Sequence, residues 1–189
     1  MKSAYALTAI LALTAGMAQA GEPNPALQGF LNNEIRAWAA SPVLIDAVVA
    51  QNNVTADYDE THVLELDQQW RAEVGAAASP TIDAVLNNAA STFLREQVIA
   101  SGGAITEVFL MDAHGLNVAS SGVTSDYWQG DEAKFQETYS VGPEAVHFSE
   151  IEFDESSQSF QAQISMTLTD SSGAVIGAMT VGVNADMLM

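Results

Sequence analysis

The sequence predicts an α+β fold in which long N-terminal helices pack on a five-stranded antiparallel sheet, and three observations carry that expectation. Apolar residues recur at helical spacing as far as about residue 101. Past Gly103 the period changes to alternation, the mark of half-buried strands. Two Asp-x-x-Gly segments, Asp112-Ala113-His114-Gly115 and Asp170-Ser171-Ser172-Gly173, supply hairpin chemistry, with Asp opening a turn and Gly in its left-handed position.

In chain order, Met1-Lys2-Ser3, an apolar stretch from Ala4 to Met17 and Ala18-Gln19-Ala20 read as a positive region, a hydrophobic run and an A-x-A cleavage site. Residues 1–20 are therefore expected to be a secretory signal peptide, with an uncleaved membrane anchor as the alternative. Residues 21–189 then form a single domain, helical over 21–101 and sheet over 102–189. Leu27, Leu31, Ile35 and Trp38 follow at steps of four, four and three. Ser41-Pro42 places an N-cap residue before a Pro at the first helical position, so two helices, or one kinked at Pro42, are expected. Ile45, Val48 and Val49 extend the stripe and Asn52-Asn53 closes it. Asp57 to Val74 forms the next helix around Val63, Leu66 and Trp70. Ser79-Pro80 starts a third, carrying Ile82, Val85, Phe93, Leu94 and Val98, which Gly102-Gly103 stops.

Ala104 to Met111 is the first strand, apolar on both faces at Val108, Phe109, Leu110 and Met111, as a central strand requires. Leu116 to Ser121 is the second, Val146 to Phe153 the third, Phe160 to Thr169 the fourth and Ala174 to Asn184 the fifth. In the fourth, Ala162, Ile164, Met166 and Leu168 alternate with Gln161, Gln163, Ser165 and Thr167. Gly177 and Gly182 in the fifth indicate close approach by another element or a ligand. A short helix is expected near Asp131 to Tyr139. One sheet face takes the helices; the other is left to the 122–145 connection, which makes a pocket lid.

Charge narrows the function. The 189 residues include 24 Asp and Glu against 5 Lys and Arg, for a net charge of −19, and no cysteine. Nucleic-acid binding by phosphate neutralisation, disulfide scaffolds, thiol catalysis and cysteine-based metal sites are thereby excluded. With 48% hydrophobic residues, the charge decorates a folded body. No stretch after residue 20 reaches the roughly 20 apolar residues of a membrane span, so the product is expected to be soluble and periplasmic or secreted.

The most distinctive string is Ser125-Asp126-Tyr127-Trp128-Gln129-Gly130-Asp131-Glu132. It resembles the Cache (PDC, PAS-like) family of extracytoplasmic sensor domains, single-Cache type. The resemblance extends to Trp38 with Ser41-Pro42, Ala47 to Asn52, Leu66-Asp67-Gln68-Gln69-Trp70-Arg71, Phe109 to Gly115, Phe153 to Ser157 and Gly173 to Gly182. It implies a PAS-like sheet and a small-molecule ligand held between that sheet and the 122–145 connection. The expected contacts are Asp126, Tyr127, Trp128, Asp131 and Tyr139 in the connection, with Phe109, Met111 and Phe148 on strands. Aromatic faces beside carboxylates suit a cation; alternatively Tyr127 and Trp128 pin the lid and Asp131-Glu132 start its helix.

Many amino-acid-binding relatives carry an Arg just ahead of the aromatic pair, where Ser125-Asp126 stand here. After Arg95 the only basic residue is Lys134, so no arginine clamp on a carboxylate is available from the sheet half, and a neutral or cationic ligand is expected.

His62, His114 and His147 show no metal-ligand spacing, and Glu150, Glu152, Asp154 and Glu155 lack a calcium-loop pattern. No nucleophile elbow or nucleotide loop occurs. No cofactor, no metal and no catalysis are expected. The partners expected are a membrane receptor or kinase, since the chain stops just after the fifth strand, and a second copy through the N-terminal helices. The rivals are a ligand-free structural or dimerising protein and, less favoured, a carboxylate-based hydrolase.

Overall fold

The computed structural model describes residues 24–154 and 159–188; the expected signal segment and Glu155-Ser156-Ser157 lie outside the described residues. Helix α1 (Pro25–Phe30) runs through a π-helical turn, Leu31–Ile35, into α2 (Arg36–Ala39). Asn24 caps this rod, accepting from the Ala26 amide at 2.9 Å, with Pro25 at the first helical position. Leu27, Leu31, Ile35 and Ala39, each four residues on from the last, are all buried. A step of four overshoots a full α-helical turn by about 40°. The wider π turn takes up that drift and keeps the four side chains on one face.

Chain direction changes at Ala40-Ser41, so α3 (Pro42–Thr55) is a separate helix that continues past Asn52-Asn53. In α4 (Glu60–Glu73), Asp59 is the N-cap and accepts from the His62 amide at 2.8 Å. The expected third helix is two helices, α5 (Pro80–Leu86) and α6 (Ala89–Ala100). Asn88 makes the break. Its Oδ1 accepts from the Ser91 amide at 2.8 Å, while its Nδ2 donates to the Val85 and Val118 carbonyls, both at 2.9 Å.

The strands are β1 (Ile105–Met111), β2 (Asn117–Ser120), β3 (Val146–Phe148), β4 (Glu152–Asp154), β5 (Ser159–Thr169) and β6 (Val175–Asn184). All pairings are antiparallel, in the order β2-β1-β6-β5-β3, with β4 also on β5. The sheet is five strands wide because the expected third strand is broken into β3 and β4 along one edge of β5. Ser149 sits at the break, where its Oγ accepts from the Gln163 amide at 2.8 Å in place of a backbone carbonyl.

Val108, Leu110, Ile164, Leu168, Met179, Val181 and Val183 face the helices and join Leu31, Ile35, Leu44, Val48 and Leu94 in the main core. On the opposite face Phe109, Met111 and Ala178 pack with Phe135 of α7 (Ala133–Gln136), so the connection does cover that side. Close approach at the two glycines comes from the chain itself. A Cβ on Gly177 would meet the Met111 carbonyl oxygen, and one on Gly182 would meet the side chains of Thr106, Gln161 and Glu107. No helix among the described residues is long and apolar enough to cross a membrane.

Candidate functional site

The 125–132 string is bound to α4. Asp67, buried on that helix, accepts with one oxygen from the amides of Tyr127 and Trp128 at 2.9 and 3.0 Å. Three residues on, Trp70 donates its indole N–H to the Thr124 carbonyl at 2.9 Å and stacks on Tyr127, with centroids 5.2 Å apart. Arg71 joins Asp67 at 2.8 Å and Asp126 at 2.7 Å. Its hydrogen bond to Asp67 holds the guanidinium above its usual range. Since 58% of the Arg71 side chain is exposed, solvent screens both ion pairs, and the buried amide bonds are the firmer tie. Asn117 completes the fastening, donating to Thr124 Oγ1 and the Asp126 carbonyl at 2.8 and 2.9 Å.

Trp128 points its N–H at the His114 carbonyl, 2.8 Å away, and lies against Gly130. This joins the string to the first hairpin turn. In that turn Asp112 Oδ1 accepts from the His114 and Leu116 amides, both at 2.9 Å, and Gly115 closes with φ +83°. Asp112 Oδ2 accepts from Gln51 and Thr55 of α3 at 3.2 and 3.0 Å. Asn52 bridges the two hairpins, accepting from the Ala113 amide at 2.8 Å and donating to the Ile176 carbonyl at 2.7 Å. Burial, then the Asp112 charge and Tyr58, push the Tyr127 hydroxyl up to about 12.

A second group forms under α7. Phe109, Met111 and Ala178 form the floor, Phe135 covers them, and Tyr139 stacks on Phe135 with centroids 4.9 Å apart. Lys134 lies here with 15% of its side chain exposed. Its ammonium stands 5.4 Å from the Phe109 ring centroid, 2.9 Å from Glu132 and 3.2 Å from Gln129 Oε1. The same face of β5 and β6 carries buried Ser165, Thr167 and Thr180, and Thr138 is buried in the connection. Ser165 and Thr180 hydrogen-bond at 2.9 Å, whereas Thr167 Oγ1 has no partner among the described residues.

The eight expected ligand contacts thus fall in four places. Phe109, Met111 and Tyr139 come together under α7. Asp126, Tyr127 and Trp128 come together on α4 and the hairpin turn. Asp131 is exposed, and Phe148, opposite Ile164 on β5, packs with the helix-side core. Sequence reasoning passed over Asp67 and Thr167. A carboxylate three residues before Trp70 on an apolar helix face is the signal that marks Asp67.

No family model matches the chain, and no curated protein matches it. Solved sensor domains do. The ligand-binding domain of the Campylobacter jejuni chemoreceptor Tlp3, solved with 4-methylisoleucine, is 12% identical with a TM-score of 0.43, over 88% of this chain and 63% of that one. The sensor domain of the V. cholerae histidine kinase DctB is 16% identical with a TM-score of 0.40, over 85% of this chain and 58% of that one. The E. coli DcuS sensor domain is 12% identical with a TM-score of 0.47, over 87% of this chain and 96% of that one. The chain spans less than two thirds of the Tlp3 and DctB domains. These are Cache-type domains, the family that the motifs resemble. They are what this chain is similar to, and the arrangement above stands on its own geometry.

Proposed function

We propose that this chain is a small-molecule sensing domain of the Cache type, exported from the cytoplasm, that holds a neutral ligand between its sheet and the 122–145 connection. The observation that supports this best is the buried hydroxyl of Thr167, which has no partner among the described residues and lies beneath a lid that is a single helical turn. Buried polar groups are nearly always hydrogen-bonded, and a ligand donor or acceptor would complete this one. A four-residue helix has little stability of its own, so lifting it is a low-cost opening.

Phe109, Met111 and Tyr139 are the apolar contacts in this reading, while Asp126, Tyr127 and Trp128 anchor the connection so that only its later part moves. Ligand charge follows from Lys134. Its ammonium already occupies the place over Phe109 and beside Glu132 that a cationic ligand would need. A single lysine engaged in this way is also no bidentate clamp for a dicarboxylate. A membrane receptor or kinase then reads the position of the connection, and a second copy pairs through the N-terminal helices.

Calorimetry against matched neutral, cationic and anionic small molecules tests the reading, with Thr167→Val as the diagnostic variant. A neutral polar compound should bind, and the variant should bind it about tenfold more weakly, the loss of one buried hydrogen bond. Without ligand, the variant should be as stable as the parent or more so, by up to about 1 kcal/mol, because an unpaired hydroxyl has been removed. Saturable binding by charged compounds alone would overturn the reading. The second reading, a ligand-free interaction protein, is favoured by the closed packing of Phe109, Phe135 and Tyr139. It predicts no saturable response to any class.

A further inference from the structure

On the helix side, away from α7, a groove of about 680 Å³ runs between α3, α4, the start of α6 and β2. That volume falls within the roughly 300–1,000 Å³ of small-molecule sites. Its wall is apolar, with Ala47 and Val54 from α3 and Leu66 from α4, and Val54 is 67% exposed. Tyr58 and Tyr127 bring the aromatic surface, and neither hydroxyl has a hydrogen-bond partner among the described residues.

The charge of this groove is of one sign. Asp46 lines it, and among the described residues no Lys, Arg or His does. The carboxylate of Asp112 acts on the Tyr127 hydroxyl from the hairpin turn, and with burial keeps it protonated to about pH 12. Two neutral phenols, one exposed carboxylate and an apolar wall complement an organic cation with an apolar or aromatic body. The other face offers the opposite, since Lys134 fills its cation position.

The geometry points to a second ligand site in the α3–α4–α6 groove, specific for a small aromatic or aliphatic ammonium compound and separate from the space under α7. The ammonium group lies beside Asp46 at one end of the groove, and the apolar body runs along Ala47, Ala50 and Val54 towards the aromatic surface of the two tyrosines at the other end. The site is independent of the sensing proposal: it needs no movement of the connection.

The test uses benzyltrimethylammonium, benzyl alcohol and phenylacetate, titrated into the full chain and followed by amide chemical shifts. The cation should bind most tightly and phenylacetate least, with saturable shifts on α3, α4 and β2. Asp46→Asn should weaken the cation about twofold to fivefold, as removal of an exposed charge does, and leave benzyl alcohol unchanged. Ala50→Trp, at an exposed position on the groove wall, should abolish binding of both. Thr167→Val should leave all three titrations unchanged, so a failed sensing site and a failed groove read differently. Equal affinity for cation and anion, no saturable shift from the cation, or full binding by the folded Ala50→Trp variant would each overturn the proposal. The last outcome would show diffuse attraction to a protein of charge −19.

Discussion

Asp67 shows how much one side chain can organise. Two amides sixty residues away, and an arginine one turn on, all donate to it. Asp67→Ala orphans the Tyr127 and Trp128 N–H groups together, and urea denaturation should show a loss of about 2–4 kcal/mol. Asp67→Asn, which keeps an acceptor, should lose less. Glu73 gives a pH signature. Burial alone would raise its carboxyl, but bonds from Gln69, the Ile82 and Thr81 amides and the Thr81 hydroxyl outweigh that and hold it below the usual 4.5. Its folded value being depressed, its contribution is complete well above pH 4.5 and is lost as pH falls through the folded value. Melting temperatures between pH 7 and pH 3 should therefore fall more steeply for the parent than for Glu73→Gln. The aromatic pair was legible in the sequence as distinctive, but its neighbours were not. Nothing local ties Tyr127 to Trp70, because the contact spans more than fifty residues of chain.

At the scale of elements, most boundaries follow from short-range chemistry and were readable. Ser41-Pro42, Ser79-Pro80 and the two Asp-x-x-Gly turns stand where the caps and hairpins are. The break between α5 and α6 escaped because the apolar stripe passes straight over it, from Val85 to Leu94. Only the capping chemistry of Asn88 announces the break. Asn88→Ala removes that cap and the two carbonyl contacts. It should cost about 1–2 kcal/mol, with faster amide exchange at the start of α6. The divided third strand did leave a trace: the apolar positions shift from Val146 and Phe148 to Ile151 and Phe153, a one-residue slip of the alternation at Ser149-Glu150, where the side-chain acceptor of Ser149 interrupts the ladder. The face taken by Phe148 follows from its register with Ile164, and register is a property of two strands rather than one.

For the whole molecule, the uneven charge is the feature that composition made plain and the fold makes specific. Arg36, Arg71 and Arg95 all lie in the helical half, and the sheet half has Lys134 alone. Like charges then repel across much of the surface, and salt should relieve that repulsion. Between roughly 0.01 and 0.15 M salt the screening length shortens from about 30 to about 8 Å, and the melting temperature should rise by a few degrees. A flat response in differential scanning calorimetry would show the acids to be spaced widely enough to ignore one another. Length is constrained less tightly than charge. The π-helical turn holds one residue more than an α-helical turn, on a stretch where Asn32, Asn33 and Glu34 are exposed. A shorter chain lacking one of those three would bring Leu31 and Ile35 to a spacing of three, which an ordinary helix still places on one side. The first rod thus stores a spare residue, and ancestral or divergent versions of this protein could gain or lose it without refitting the core.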